Sequence, residues 1–545
     1  MACPIDGPVI IVGGGVSGLG AAHALSLIRC DVVLLEAREA LGGRTRSITA
    51  GAFAGQDEGA HWVHGGLQNL VTKPLFDAFN LTMRPTHGDE IYQQGLTSAP
   101  AWLADGTQLK RSEILSSYEA YEALSDRMAA LQDERARTGL PDMTIGEAFS
   151  RTLNATTPPP GERELALLSW HFTFEVEGDD GADVAGPRGL SLDDTYGDWP
   201  YTDFYTEGKD GRPRNHDYVP SGGYGSLVDA FAARLHASPT VEIRCGRSGE
   251  VVEMSSEGDR VAIRTRDGGV VNGSHVLVTV PLGVLQQQPP AFSPPLPQQR
   301  IADIASVQMG VLDKVMLRWD SAFWPRNTSG FGYVAPAGDA TAGTYPVALN
   351  SEADNEGPNT PTLTFLVGGS AARRLERSTD TAITEQALSA LRAMFGREAV
   401  PPPRAVHVTR WLQDRFTYGA YSFVPFGSTA AAMRNQSTPL WGGHLRFAGE
   451  ATCYRMYATV HGAYASAMRE VSAMLEATGG KAAFEVAAAR WPLLQAVRRF
   501  CEHHPQRAGD NSPDVPAVED AAHSTRRRHR RPLAEEFLFG GRLRL

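Results

Sequence analysis

The chain of 545 residues is long enough to bury a large core and to form two or more domains. Its hydrophobic content of 42% and charged content of 21% are those of soluble globular proteins, and no run of about 18 apolar residues predicts a membrane-spanning helix. The net charge of -11 argues against nucleic acid as the main partner and is compatible with a cationic small-molecule partner.

The N-terminal segment reads as a strand, a glycine-rich turn, a helix and a second strand. The run VIIV is followed directly by Gly13, Gly15 and Gly18 at the GxGxxG positions, and the second strand ends at Glu36. These glycines allow a tight turn that brings backbone N–H groups against a pyrophosphate at the helix N-terminus. Glu36 can accept hydrogen bonds from both ribose hydroxyls and would repel a 2'-phosphate, which disfavours NADP.

Gly42, Gly43 and Arg44 follow the second strand. A guanidinium here can pair with the pyrophosphate in a fork that lysine could not make, and this added segment is typical of FAD sites rather than NAD sites. An ordinary glycine-rich turn would explain the glycines alone, but not the register of strands, helix and carboxylate. The sequence therefore predicts FAD as the cofactor.

Three separated stretches read as parts of one nucleotide-binding domain. They are the N-terminal unit, a stretch from about 218 to 285 with two central strands, and a strand, loop and long helix near 445–475. We therefore predict an α/β fold with a discontinuous, Rossmann-like FAD-binding domain. Its pieces are residues 1–90, 218–285 and 426–475.

The segments between these stretches have different residue patterns. Residues 112–138 have a helical period, 178–217 read as loops, and 309–319 alternate like a strand. They predict an inserted α+β substrate-binding domain made of residues 91–217 and 286–425.

The C-terminal part reads as a helix followed by a disordered tail. The helix is expected over Ala482–His503, within residues 476–504, and the tail spans 505–545. The basic run RRRHRR in the tail is a solvated segment or, alternatively, a nuclear-targeting or anion-binding patch. The final tripeptide is only loosely similar to a peroxisomal signal.

The five cysteines are scattered and lack metal-ligand spacing, so the sequence indicates neither a disulfide framework nor a zinc site. The first strand begins close to Met1, which leaves no room for a signal peptide. We therefore expect an intracellular, cytoplasmic protein, with a peroxisomal or nuclear location as the alternatives raised by the tail.

Seven motifs between residue 8 and about residue 475 resemble those of the flavin-dependent amine oxidases. This family includes polyamine oxidases, monoamine oxidases and lysine-specific histone demethylases. In order, the motifs are GGGVSG with Glu36 and GGRTR, DEGAHWVHG at 57–65, VPSGGYGSL at 219–227, VTVPLGVL at 278–285, MGVLDKVMLRWDSAFWP at 309–325, WLQDRFTYGAYSF at 411–423 and RFAGEATCYRMYATVHGA at 446–463. The resemblance covers nearly all of the chain before the C-terminal helix and tail.

The resemblance implies contacts along the whole FAD molecule. The adenosine and pyrophosphate would be held by Ser17, Glu36, Arg38 and Arg44, the adenine by the backbone of Val251, the ribityl and pyrophosphate region by Glu450, and the flavin pyrimidine end by the backbone of Thr459 and Val460. A helix N-terminus beside the flavin would stabilise the negative charge of its reduced form.

Lys314, Tyr421 and His64 are the catalytic residues that the resemblance implies. The family places a lysine in the Lys314 motif near flavin N5, linked through a water, where it would assist reoxidation by O2 or position the water that attacks the imine. Tyr421 would form one wall beside the substrate nitrogen, with Thr459 opposite. The alternatives are a solvent-facing strand lysine and a core tyrosine. Ala420 stands where monoamine oxidases carry the cysteine that attaches FAD, so noncovalent FAD is expected.

The substrate end contains His64, which matches a His or Glu that faces the amine in polyamine oxidases; a structural histidine is the alternative. Residues 57–66 offer no arginine to grip a carboxylate, as amino-acid oxidases require. Glu175 and its neighbour Glu177 are candidates for a distal ammonium group, or else solvated loop charges. Glu58 departs from the usual apolar residue of its motif.

The resemblance implies hydride transfer from the carbon of a neutral amine to flavin N5. The imine would be hydrolysed to an aldehyde and an amine, while O2 is reduced to hydrogen peroxide. Spermine, spermidine or their N-acetyl forms are the expected substrates, with neither nucleic acid nor a membrane as partner and the oligomeric state open. The alternatives are an L-amino-acid or specialised-metabolite amine oxidase and a flavin-bearing, non-catalytic scaffold.

Overall fold

The structure, a computed structural model, describes residues 3–85, 99–156, 217–335, 344–351, 361–428, 430–498 and 500–501. Glu175, Glu177, nearly all of the expected loop 178–217 and the tail 505–545 lie outside these ranges. Among the helices of the described part, none is both long enough and apolar enough to cross a membrane.

The described part of the chain contains both strands and helices, with several strands following one another in two stretches. The strands are β1 Val9–Val12, β2 Val32–Glu36, β3 Met83–Pro85, β4 Ala101–Leu103, β5 Tyr218–Pro220, β6 Val241–Cys245, β7 Val251–Glu257, β8 Arg260–Thr265, β9 Val270–Gly273, β10 His275–Val278, β11 Ala291–Ser293, β12 Gln308–Met309, β13 Leu312–Arg318, β14 Gly330–Val334, β15 Val347–Asn350, β16 Thr362–Gly368, β17 Ala405–Val408, β18 Ser422–Phe423 and β19 Leu445–Phe447. The helices are α1 Val16–Leu27, α2 Thr72–Ala78, α3 Arg111–Thr138, α4 Ile145–Thr156, α5 Gly225–His236, α6 Leu282–Gln287, α7 Gln298–Ser306, α8 Gly369–Glu376, α9 Asp380–Phe395, α10 Ala430–Asn435, α11 Val460–Arg490 and α12 Pro492–Val497.

A five-stranded parallel sheet joins the three separated stretches of the chain. Its order is β19-β10-β1-β2-β6, and every neighbouring pair is parallel. All residues of β1, β2, β10 and β19 are buried, as expected for a parallel sheet covered on both faces. The sheet confirms the predicted Rossmann-like α/β fold.

A six-stranded sheet forms the second layer beside the cavity, in the order β17-β13-β16-β15-β14-β4. Its neighbouring strands are antiparallel except for β14 and β4. The strand expected within 309–319 is found as β12 and β13, and β13 lies between β16 and β17. Lys314 is therefore carried by an internal strand, which holds its backbone on both sides.

The long helix α11 packs against α1, and both helices share a hydrophobic core with the first sheet. A Cβ at Gly20 would lie 2.7 Å from the Tyr464 ring, so glycine permits the close approach of the two helices. Gly480 has non-helical dihedral angles and divides α11 by a kink, so a helical segment begins close to Ala482, where the sequence predicts one. The predicted end at His503 is wrong, because this segment ends at Arg490 and Pro492 begins the short α12.

Two disulfides correct the interpretation of the cysteines. Cys3 is bonded to Cys30 and Cys453 to Cys501, over sequence separations of 27 and 48, with Cα atoms 4.8 and 4.6 Å apart. Spacing along the chain does not reveal these pairs because the fold creates them: Cys3 and Cys30 precede the adjacent strands β1 and β2. Cys245 is a free thiol. In the described part of the chain, no cluster of His, Cys, Asp and Glu could hold a metal ion.

Candidate active site

One cavity of about 480 Å³ runs from the glycine-rich turn to the strand that carries Lys314. The predicted site residues that line it are Gly13, Gly15, Ser17, Glu36, Arg38, Gly43, Arg44, His64, Val251, Lys314, Tyr421, Glu450, Thr459 and Val460. Gly18 does not line the cavity; a Cβ there would lie 1.9 Å from the Gly13 carbonyl oxygen, so this glycine allows close packing within the turn. Glu175 lies outside the described residues.

The turn leaves room for a ligand where its glycines face the cavity. A Cβ at Gly15 would meet only the Gly42 oxygen at 3.9 Å, and one at Gly43 only the Gly15 Cα at 3.5 Å. The Ser17 hydroxyl, in the first turn of α1, is buried without a hydrogen-bond partner among the described atoms. A phosphate at this helix N-terminus would accept that hydrogen bond, so the residues present fit a dinucleotide cofactor.

Glu36 is fixed at the nucleotide end by backbone donors. One carboxylate oxygen accepts from Gly14 N at 2.6 Å and the other from Arg38 N at 2.8 Å. Burial raises the pKa of Glu36, and the two backbone hydrogen bonds oppose this rise. Each oxygen keeps a second lone pair, so the carboxylate can still accept from ribose hydroxyls.

Four residues at the nucleotide end were not predicted from the sequence. Glu250 accepts two hydrogen bonds from Arg266, the shorter at 2.8 Å, and two from Arg415, at 2.8 and 3.2 Å. These contacts hold the pKa of Glu250 at about 2, chiefly through the Arg415 hydrogen bonds. The Arg415 guanidinium also lies 4.0 Å from the centre of the Phe416 ring, and Arg38 lies 5.0 Å from that ring.

No sequence signal marked this group, because Glu250 and Arg415 lie 165 positions apart and neither belongs to a periodic pattern. Their contact joins the start of β7 to the segment that follows β17. The predicted residue Arg38 is also part of this arrangement, since its guanidinium is paired with Asp414.

A second network surrounds Glu450 in the middle of the cavity. Arg44 donates to a Glu450 oxygen at 3.0 Å and to the Ala420 carbonyl at 2.9 Å. The other Glu450 oxygen accepts from the Ser422 hydroxyl at 2.5 Å and from Ala458 N at 2.8 Å. Glu450 therefore ties the GGR segment to the Tyr421 segment and to the loop before α11.

Lys314 is buried and does not point to solvent. Its Nζ donates to the carbonyl oxygens of Asp57 at 2.8 Å and Gly59 at 2.7 Å. Burial lowers the pKa of Lys314 to about 8, against the opposing charges of Asp57 and Glu58. Loss of the Lys314 proton is therefore brought nearer to neutral pH than in a solvent-exposed lysine.

The 57–65 segment supplies carboxylates and histidines to the end of the cavity that contains Lys314. The Asp57 carboxylate accepts from Tyr224 N at 3.0 Å and contacts His61 Nδ1 at 2.9 Å. His64 Nδ1 lies 2.9 Å from Asp217, which also accepts from Gly65 N.

Glu58 forms ion pairs with Arg46 and His407, and its hydrogen bond to His407 is the largest cause that lowers its pKa to about 2. The unusual carboxylate of this motif is thus ionised and held by the Arg46 guanidinium and the His407 ring. His407 comes from β17, so Glu58 joins the 57–65 segment to the second sheet.

The N-terminus of α11 opens onto the cavity beside Tyr421. Thr459 caps the helix, accepting from Gly462 N at 2.9 Å and donating to the Met456 carbonyl at 2.6 Å. The exposed N–H groups of this first turn can stabilise an anionic group in the cavity.

Comparison with known proteins covers most of the chain. A family model described as flavin containing amine oxidoreductase matches residues 16–475. Polyamine oxidase 4 from Oryza sativa subsp. japonica is 28% identical over 474 residues, which are 85% of this chain and 88% of that protein. Lysine-specific histone demethylase 2 from Homo sapiens is 27% identical over 479 residues, which are 85% of this chain and 53% of that protein.

Among solved structures, wild-type putrescine oxidase bound to putrescine matches with a TM-score of 0.64. The identity is 17%, and the match covers 86% of this chain and 98% of that chain. At this identity the match shows the fold alone. The family resemblance carried by the seven motifs is confirmed by the family match and by these relatives.

Proposed function

The chain belongs to the flavin-containing amine oxidoreductases, and from that premise we propose that it is an FAD-dependent oxidase of polyamines. The expected substrates are spermine, spermidine or their N-acetyl forms, and FAD is bound without a covalent link. One observation carries the proposal: a single cavity joins the dinucleotide turn to the buried amine of Lys314. The family supports a flavin, and the Glu36 end supports its dinucleotide form.

Bound flavin would supply the acceptor for the hydride that leaves the amine carbon, and its reoxidation by O2 would yield hydrogen peroxide. The imine product would be hydrolysed to an aldehyde and an amine. Lys314 can hold or accept a proton beside this chemistry, because its neutral form still donates two N–H groups to the Asp57 and Gly59 carbonyls. Its remaining lone pair is then available to a water or to an ammonium group.

The electrostatics of the substrate end favour a cation. Asp57 and Asp217 are both buried carboxylates close to the cavity. Asp217 lies 2.9 Å from His64 Nδ1, which places a carboxylate directly behind the histidine that is proposed to face the amine. Tyr421 and Thr459 line the same cavity, where they are proposed to flank the substrate nitrogen.

The arginines of the cavity disfavour an amino-acid substrate. The four described arginines that line it are Arg38, Arg44, Arg266 and Arg415. Each is paired with a protein carboxylate, namely Asp414, Glu450 or Glu250. A substrate carboxylate would have to compete with these pairs for a guanidinium, whereas an amine would not.

Anaerobic stopped-flow mixing of the purified yellow protein tests the proposal directly. Spermine, spermidine and N-acetylspermine are expected to bleach the flavin absorbance, and benzylamine and L-amino acids are not. Bleaching by amino acids alone would select the amino-acid oxidase alternative. A flavin that no amine reduces would select the non-catalytic scaffold.

Substitution of Lys314 tests its role, and substitution of Lys73 is the matched control. Lys314→Met is expected to slow turnover by on the order of a hundredfold, the range of a positioned acid–base group. Lys73→Met removes an exposed lysine of α2 that is paired with Asp77, and it should leave turnover unchanged. Equal rates for the two variants would contradict a role for Lys314.

A further inference from the structure

Two carboxyl groups meet in the interior next to the cavity. Asp313 directly precedes Lys314 in β13 and is fully buried, and Glu376 is the last residue of α8 and is 4% exposed. They accept from the backbone N–H groups of the neighbouring residues Trp411 and Leu412, so the two carboxyl groups lie close to each other. Two ionised carboxylates at this depth would repel each other without water to screen them, so the pair must hold a proton.

Both carboxyl groups hold the same short segment, residues 409–413. One Asp313 oxygen, Oδ1, accepts from the Thr409 hydroxyl at 2.9 Å and from Trp411 N at 3.3 Å. The two Glu376 oxygens accept from Leu412 N at 2.7 Å and from Gln413 N at 3.0 Å.

This segment connects the carboxyl pair to the cavity. Trp411 is one of the residues that line the cavity, and the Arg46 guanidinium lies 5.2 Å from its ring centre. Thr409 Oγ1 also accepts from Lys314 N at 2.8 Å. The pair therefore fixes both the strand of Lys314 and the wall formed by Trp411.

The pattern of donors indicates where the proton lies. Both Glu376 oxygens already accept backbone N–H groups, whereas Asp313 Oδ2 is buried without such a donor among the described atoms. A proton on Oδ2 that is donated to Glu376 gives every carboxyl oxygen a partner. Burial and the neighbouring Glu376 charge both raise the pKa of Asp313, which agrees with this placement.

The groups that face the pair are one cation, one ammonium on the other side of the strand, and an apolar side chain. Arg410 acts on Glu376 and is itself paired with Asp380. Lys314 bonds to the 57–59 carbonyls, on the face of β13 opposite to Asp313. From β16, the residue opposite Asp313 is Val367, which is apolar.

We propose that Asp313 carries a proton, donates it to Glu376, and with Glu376 acts as a positioning pair that holds residues 409–413 so that Trp411 forms the cavity wall. The pair touches neither cofactor nor substrate. Its effect on turnover rests on the proposed oxidase function, whereas its effect on the segment and on protein stability does not.

Two isosteric variants separate the roles of the two groups. Asp313→Asn keeps an acceptor for Thr409 and Trp411 and places an N–H donor toward Glu376, so the fold and the cavity should be retained. Glu376→Gln replaces one of two accepting oxygens by an NH2 group, which then faces the N–H of Leu412 or Gln413. This variant should alter the visible circular dichroism of the bound flavin and raise KM more than Asp313→Asn does.

The pH dependence of thermal unfolding identifies the protonated group. Because the pKa of Asp313 is raised by folding, the folded protein keeps a proton that the unfolded chain releases above pH about 4. The Asp313 proton therefore contributes stability that is lost as pH rises, so the Tm of the wild type relative to that of Asp313→Asn should fall as pH rises. The infrared band of a protonated carboxyl group should be lost in the same variant.

Asp320→Asn is the matched control, since Asp320 is an exposed carboxylate just beyond β13 that is paired with Arg404. It should change neither the pH dependence of the Tm nor the infrared band. The wild-type pH dependence in Asp313→Asn, or its failure to fold, would overturn the proposal. Neither unfolding nor infrared measurement requires amine turnover, so an inactive protein would refute the oxidase function without touching this inference.

Discussion

Replacement of Arg415 by alanine is expected to speed release of the cofactor from its nucleotide end. The Arg415 side chain is 49% exposed and its partner Glu250 is 11% exposed, so this ion pair contributes about 0.5–1 kcal/mol. The stack on Phe416 at 4.0 Å adds about 0.5–1 kcal/mol. Glu250 keeps its contact with Arg266 at 2.8 Å, so no buried charge is left uncompensated.

The two contributions together are about 1–2 kcal/mol, which corresponds to a roughly 5- to 30-fold faster release. The assay dilutes the flavin-loaded protein and follows the recovery of free-flavin fluorescence at low and high salt. Salt should speed release from the wild type and have a smaller effect on Arg415→Ala. The reason is that an ion pair is part of the contact that holds the segment after β17 against the start of β7. Arg404→Ala, which removes an exposed pair with Asp320, is the control.

Release from Arg415→Ala at the wild-type rate, with the wild-type salt dependence, would refute this reasoning. It would mean that the remaining contacts alone hold the segment after β17 against the start of β7.

Three further predictions concern other parts of the molecule. The pKa of Lys314 is about 8, so the rate of a step that needs its neutral amine should rise as pH passes through about 8. A stopped-flow pH profile of Lys314→Met should lack that inflection. An inflection that persists in this variant belongs to another group. Thr459→Val removes the acceptor of Gly462 N and should cost about 1 kcal/mol of stability in denaturant unfolding, whereas Thr459→Ser should retain it. Thiol titration of the denatured, unreduced protein should find one free thiol, that of Cys245, and a count of five would show that neither disulfide forms.

Local patterns in the sequence predicted the parts of the site that local geometry builds. The glycine-rich turn and Glu36 lie within one strand–helix–strand unit, whose spacing reflects its contacts directly. The buried state of Lys314 was not decided by spacing, because a strand lysine can face either side of a sheet. Only the motif around it favoured the cavity, where the structure places it.

Contacts between distant segments could not be predicted from the sequence. The Glu250–Arg415 pair and the two disulfides form between residues whose separation along the chain carries no periodic signal. The end of the last helix was misplaced for a different reason. Apolar periodicity continues past Arg490, but Pro492 cannot donate the next helical hydrogen bond, so α11 stops before it.

The arrangement of the parallel sheet has a consequence for biosynthesis. Strand β1 is synthesised well before its neighbour β10, which begins at His275, and before the edge strand β19, which ends at Phe447. The nascent strand β1 therefore has one unpaired edge until β10 has been synthesised, a state prone to aggregation. Chaperone supply and slow elongation should raise the soluble yield of this protein more than changes at its surface.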